Sequence, residues 1–275
     1  MISLASIPFI AIGLFVLALL FKKRVVGALG WLVFSVYCAS ELSYYLLEKA
    51  EYFDAAIAFI FLAFTLLFAA LMLKPASPGD REEAALHFTV TKIALITAAL
   101  YFPFVAVPAL ETLIIALTTR ITVTVLAMLG VSVYMVYPSS IYTTASMFHA
   151  VYKPIEIILA CTAIQSMVLF AGLTLGVRAP RNRKLKAFLA SVPTIYVLNI
   201  VRNVFVTASY FGSWFGPPLL SFDISHGIIA RFYVMISLIV VAYAVFVLLP
   251  EALDLIENFF RYLSRRLTAS IRIRG

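Results

Sequence analysis

Apolar runs of membrane-spanning length, repeated along the chain, restrict what this sequence can fold into more than any other feature. They lie at about 2–21, 25–47, 52–73, 89–109, 155–177, 187–208 and 226–249. An α-helix needs roughly 20 consecutive apolar residues to cross a bilayer, and each run supplies about that many. The runs are continuous rather than alternating, which excludes an outer-membrane β-barrel. They also exclude a soluble enzyme. Of 275 residues, 64% are apolar and only 12% charged, whereas a soluble domain is roughly 45–50% apolar and about 25% charged. The expected fold is an all-α integral membrane protein of about seven transmembrane helices. The first run reads as a retained helix, because its N-terminal flank is not basic and no small-residue cleavage site precedes Lys22-Lys23-Arg24.

The net charge of +8 has a topological explanation. The segments 22–24, 74–88, 178–186 and 250–275 hold 15 of the 21 Lys and Arg residues; the alternate loops hold only Lys49, Arg120 and Lys153. Cytoplasmic loops of membrane proteins carry the excess of Lys and Arg. The N-terminus is therefore expected outside and the C-terminus inside, and the basic residues face lipid headgroups rather than nucleic acid. Four parts follow within one membrane domain: 1–109 with four helices, 110–154, 155–250 with three helices, and the basic tail 251–275. The part 110–154 must begin and end outside. Its Thr residues mixed with apolar ones suit an interfacial helix on the outer face, with a re-entrant or doubly spanning hairpin over 110–137 as the alternative. The Tyr-, Val- and Thr-rich stretch after it suits a short irregular or β-like extracytoplasmic segment. Apolar periodicity over 253–266 predicts a cytoplasmic interfacial helix.

Ionisable residues inside the spans carry the functional expectations, since burying them in lipid is costly. Lys92, Glu41 and Glu48 stand near span ends and can snorkel to the headgroups. Cys161, Arg202 and Arg231 are different. Each falls five or six residues from the outer end of its run, roughly 8–9 Å deep at 1.5 Å per residue. Thiolate is the reactive form of cysteine, and nearby cations favour it. An arginine fork can also stabilise an oxyanion. The competing explanation is packing for Cys161, and pairing of the arginines with Asp223 or Glu156. His226 lies five residues before Arg231, about 140° away on a regular helix. It is the nearest group able to pass a proton, which arginine cannot do near neutral pH. Asn199 shares a helix face with Arg202. The three histidines, His87, His149 and His226, are scattered, and no His-Glu-x-x-His motif is present, so no metal or other cofactor is expected. A transporter or a non-catalytic scaffold remains open as an alternative. A transporter would be expected to show paired broken helices and a repeat, and neither is evident.

These residues carry a family resemblance. Ala160-Cys161-Thr162-Ala163-Ile164-Gln165-Ser166 resembles the active-site cysteine motif of the exosortase/archaeosortase family. Asn199-Ile200-Val201-Arg202 resembles its Asn-x-x-Arg motif, and Ser225-His226-Gly227-Ile228-Ile229-Ala230-Arg231 its third motif, which carries His in bacterial members and Arg in many archaeal ones. The similarity is greatest to the archaeosortase branch and spans roughly 110–250. It implies a membrane-embedded cysteine transpeptidase acting at the extracytoplasmic side of the cell membrane. The implied catalytic residues are Cys161, Arg202, Arg231 and His226, with Asn199 and Gln165 binding substrate. Both Arg231 and His226 are candidates for the third catalytic place, with depth and the archaeal pattern favouring Arg231. The implied partners are secreted proteins whose C-terminal signal comprises a short motif such as Pro-Gly-Phe, a hydrophobic helix and a basic end. A membrane phospholipid is the implied acceptor.

Overall fold

The computed structural model describes residues 6–74, 81–144 and 152–272. Helices dominate. They are α1 (Ile7–Phe21), α2 (Arg24–Ser43, prolonged by a π-turn over Tyr44–Glu48), α3 (Tyr52–Leu73), α4 (Arg81–Ala106), α5 (Pro108–Met128), α6 (Ile164–Gly176), α7 (Arg181–Phe211), α8 (Pro218–Phe222), α9 (Ala230–Leu248) and α10 (Pro250–Arg272). A π-turn over Asp223–Ile229 joins α8 to α9. Among the described residues, six helices are long and apolar enough to cross a membrane, and α1 and α6 are shorter apolar helices. The expectation of an all-α, multi-pass membrane protein holds.

The β-like expectation also acquires a definite form. Strands β1 (Val133–Val136), β2 (Ser140–Thr143) and β3 (Ile155–Glu156) build an antiparallel sheet in the order β1-β2-β3. Val133 pairs with Thr143, and Ile141 with Ile155.

One local expectation is corrected. The run 155–177 is not one helix. It opens as a strand, passes through a 3₁₀ turn at Leu159–Thr162, and becomes α6 only at Ile164. The break is at Ala163, whose φ of 58° lies in the left-handed region. The Thr-rich segment after 110, expected to lie at the outer interface, is helical, and by length and composition alone this helix is also long and apolar enough for a crossing. Its hydroxyls are absorbed by the helix itself. Thr119 donates to the Ile115 carbonyl, Thr122 to that of Thr118 and Thr124 to that of Arg120, each at 2.8 Å. A hydroxyl turned back onto the carbonyl four residues earlier does not need water.

The chain folds as two compact units. The first comprises 1–102, 175–178 and 251–275. Its core centres on Trp31, whose ring meets Phe15, Phe68 and Phe64 at 5.1, 4.9 and 5.7 Å. The indole N–H would be costly to bury unpaired, and it donates to Thr91 Oγ1 at 3.1 Å. Gly30 permits this packing, since a Cβ there would come within 2.7 Å of the Phe15 ring. α10 joins this unit through Phe259, which packs against Phe64 and Phe68. It is also held by Glu83, 1% exposed, which accepts from Arg24 at 2.9 Å and Arg266 at 2.7 Å. Tyr262 donates to the same carboxylate at 3.1 Å.

The second unit comprises 103–174 and 179–250. Ile115 and Leu126 of α5, Val133 and Ile141 of the sheet, Ile157, and Ile200, Val204 and Ala208 of α7 form its core. Thr118 and Tyr196 hydroxyls meet at 3.3 Å, linking α5 to α7. Tyr233 of α9 donates to the Leu198 carbonyl at 3.2 Å, linking α9 to α7. This unit contains every site residue expected from the sequence.

Candidate active site

Cys161 stands at the third position of the 3₁₀ turn, not inside a helix. Two local features fix the turn. Thr162, fully buried, donates to the Leu159 carbonyl at 2.6 Å. Ala163 then takes its left-handed conformation, and α6 can begin. A non-helical carbonyl at this depth in an apolar unit must find donors. The Cys161 carbonyl has two from α7: Asn199 Nδ2 at 2.7 Å and Asn203 Nδ2 at 2.9 Å. The asparagines stand four residues apart on one helix face and are 8% and 3% exposed. Asn203 Oδ1 in turn accepts from Arg202 Nη1 at 3.2 Å.

A cavity of about 210 Å³ opens beside this turn. Cys161, Arg202, Asn203 and Thr207 form part of its wall, and His226 stands in the same wall. Phe222 and Leu219 of α8, Tyr210 of α7, and Lys153 and Glu156 of the sheet segment complete the lining relevant to chemistry. The imidazole is held flat against Phe222, with ring centroids 4.9 Å apart and planes 7° from parallel. Phe222 meets Tyr210 edge-on at 5.9 Å. Tyr210 is fixed by donating to the Lys153 carbonyl at 3.1 Å. The chain between α7 and α8 closes tightly, with Gly216 at φ 115°, a conformation that suits glycine.

The π-turn bears on His226 and Arg231. The Ala230 N–H reaches back five residues to the Ser225 carbonyl. In an α-helix the bond would span four residues, so the turn contains one residue more. Residues five apart are thereby brought nearer one face than the 140° of a regular helix.

The sequence-expected residues therefore divide. Cys161, Arg202 and His226 share the cavity wall. Asn199 lies behind it, bonded to the cysteine's own backbone. Arg231 is exposed, one turn beyond His226, and is not part of the wall. Gln165 is exposed on the first turn of α6, outside the cavity. Asn203 escaped the sequence reading, although its spacing of four from Asn199 could have revealed it.

Comparison with known proteins places the chain in a family. The model described as transmembrane exosortase (Exosortase_EpsH) matches residues 4–243, nearly the whole chain. The chain belongs to the transmembrane exosortase family. Among curated exosortase-family relatives, it is 36% identical to Archaeosortase A of Haloferax volcanii over 118 residues, which covers 38% of this chain and 39% of that protein. It is 25% identical to Archaeosortase A of Natronomonas pharaonis over 191 residues, covering 62% of this chain and 61% of the relative. The chain thus matches less than two thirds of the length of either relative. No solved structure matches it.

Proposed function

We propose that this exosortase-family protein is a membrane-embedded cysteine transpeptidase of the archaeosortase type. Its substrates are secreted proteins that carry a short motif such as Pro-Gly-Phe, a hydrophobic helix and a basic end at the C-terminus. The observation that carries the proposal is that Cys161, Arg202 and His226, from three separate segments, line one cavity.

The chemistry requires a nucleophile, an oxyanion donor and a proton carrier. His226 takes the thiol proton as Cys161 Sγ attacks the scissile carbonyl. The Arg202 guanidinium stabilises the oxyanion. The C–N bond then breaks, and the imidazolium returns its proton to the leaving amine, which departs with the hydrophobic helix. A thioester remains on Cys161. A nucleophilic headgroup of a membrane phospholipid attacks it, loses a proton through His226, and takes the new C-terminus as its anchor. His226 is preferred to Arg231 for the third place because it shares the cavity lining with Cys161 and an imidazole, unlike a guanidinium, exchanges protons near neutral pH.

The test is processing in cells. Cys161→Ala is expected to leave full-length precursor in the membrane, and normal processing by that variant would refute the proposal. His226→Gln is expected to abolish processing, and Arg231→Gln to reduce it less. The reverse order would return the third place to Arg231. An externally added thiol reagent is expected to modify Cys161 and inactivate the protein while leaving the buried Cys38 unmodified.

A further inference from the structure

Asn203 lies outside the Asn199-Ile200-Val201-Arg202 motif yet makes the two bonds that join its parts. Its side chain is 3% exposed and lines the cavity. Nδ2 donates to the Cys161 carbonyl at 2.9 Å, and Oδ1 accepts from Arg202 Nη1 at 3.2 Å. The partners fix the direction of this amide. A guanidinium only donates and a peptide carbonyl only accepts, so a flipped amide would set donor against donor and acceptor against acceptor. Asn199 donates to the same Cys161 carbonyl, which makes it an internal comparison. Both asparagines hold the cysteine turn, and Asn203 in addition holds the arginine.

We infer that Asn203 is a positioning residue that locks the Arg202 guanidinium to the Cys161 turn, so that nucleophile and oxyanion donor keep one geometry. The inference rests on the proposed roles of Cys161 and Arg202. Its physical basis is the freedom of the arginine side chain. Arg202 and Asn203 are neighbours on α7 and point about 100° apart. Without an acceptor at its base, the guanidinium has several rotamers over a cavity of this size, and few of them present its fork beside Sγ. One amide removes that freedom and ties the chosen rotamer to the backbone of the nucleophile. A misplacement of about 1 Å at a reacting centre can cost about 10²-fold in rate.

A purely structural asparagine would satisfy the Cys161 carbonyl and nothing more, as Asn199 does in this comparison. The experiment separates the two roles with the full-length protein in membrane vesicles. It measures processing of a precursor bearing the C-terminal signal, and alkylation of Cys161 by a thiol reagent as a function of pH. Asn199→Leu and Asn203→Leu each delete one bond to the carbonyl, and each is combined with Arg202→Gln. Asn203→Leu is expected to slow processing by about 10²-fold but to add less than about twofold once Arg202 is already Gln. Asn199→Leu is expected to cost the same factor in both backgrounds. If Asn203→Leu multiplies with Arg202→Gln as Asn199→Leu does, the inference is overturned. Should the leucine variant not fold, Asn203→Asp keeps an acceptor for Arg202. Its carboxylate still accepts from the guanidinium, so processing is expected to fall by less than about tenfold; a loss of about 10²-fold overturns the inference. Processing by Cys161→Ala would instead defeat the transpeptidase proposal, while the alkylation profiles would still report whether Asn203 couples the two groups.

Discussion

Ala163 is where the cysteine turn depends on a single residue's backbone. Its φ of 58° and ψ of 14° lie in the left-handed region, which costs an L-residue with a Cβ roughly 1–2 kcal/mol relative to glycine. Ala163→Gly is expected to keep the turn and to retain or raise thermal stability by up to about 1 kcal/mol. Ala163→Val, branched at Cβ, is expected to displace the turn and lower Cys161 alkylation at least tenfold. Equal alkylation in the two variants would show that the turn does not set the thiol's reactivity. Arg202→Lys is expected to cost about 10²–10³-fold in processing, since an ammonium cannot reproduce the fork. Cys161, Arg202, His226 and Asn199 were legible in the sequence because each is a costly group inside an apolar run. Asn203 was not singled out, because an asparagine beside an arginine has no distinguishing spacing until Asn199 is seen four residues earlier. The direction in which Gln165 and Arg231 point could not be read, because the Ala163 break and the π-turn both shift the helical phase.

The π-turn makes the same point for an element. Its extra residue rotates everything before it by about 100° relative to α9. Gly227 stands in the middle of the turn, where an added Cβ would meet open space. Gly227→Ala should therefore be tolerated, with a gain of up to about 1 kcal/mol from helix propensity. Deleting Gly227 should convert the turn to regular helix, carry His226 off the cavity wall and abolish processing while α9 persists. A deletion variant that processes normally would remove His226 from the mechanism. α10 yields a prediction of a different kind. Glu83 serves Arg24, Arg266 and Tyr262 together, so Glu83→Gln removes the carboxylate charge that faces both partly buried arginines. Breaking a buried pair in this way costs about 3–5 kcal/mol, to be read in thermal unfolding and in protease cleavage of α10. Burial, and then the Glu83 carboxylate, hold the Tyr262 hydroxyl above the ordinary phenol range. Its contribution is complete below the ordinary phenol value of about 10 and is lost as pH rises through the higher folded value. Tyr262→Phe is expected to lack that alkaline loss, whereas an identical alkaline profile would assign it to another group. The tail's apolar periodicity predicted a helix there; its docking onto Glu83 depends on long-range partners that periodicity does not encode.

For the whole molecule, the decisive quantity is how many times the chain crosses the membrane between its two basic segments 74–88 and 178–186. The fifteen-to-three distribution of basic residues is expected to put both segments on the cytoplasmic side, which would require an even number of crossings between them. Among the described residues, three helices intervene: α4, α5 and α6. α6 has 13 residues and is about 20 Å long, short of the roughly 30 Å of a hydrocarbon core. If it starts from the cytoplasmic side, its N-terminal end and the cysteine turn lie about 10 Å below the outer face, and the strand segment before them completes the crossing. α4 supplies the other crossing. α5 must then begin and end on the outer side, despite being long enough to span. Single cysteines at Glu111 and Gly130, introduced into a chain lacking Cys38 and Cys161, should both be labelled from outside by an impermeant reagent. One at Arg183 should be labelled only after permeabilisation. Labelling of Gly130 from the cytoplasm alone would make α5 a full crossing and turn the cavity of Cys161, Arg202 and His226 toward the cytoplasm. A secreted substrate would then emerge on the wrong side of the membrane for this site, and the transpeptidase proposal would fail on topology whatever the chemistry of the cavity.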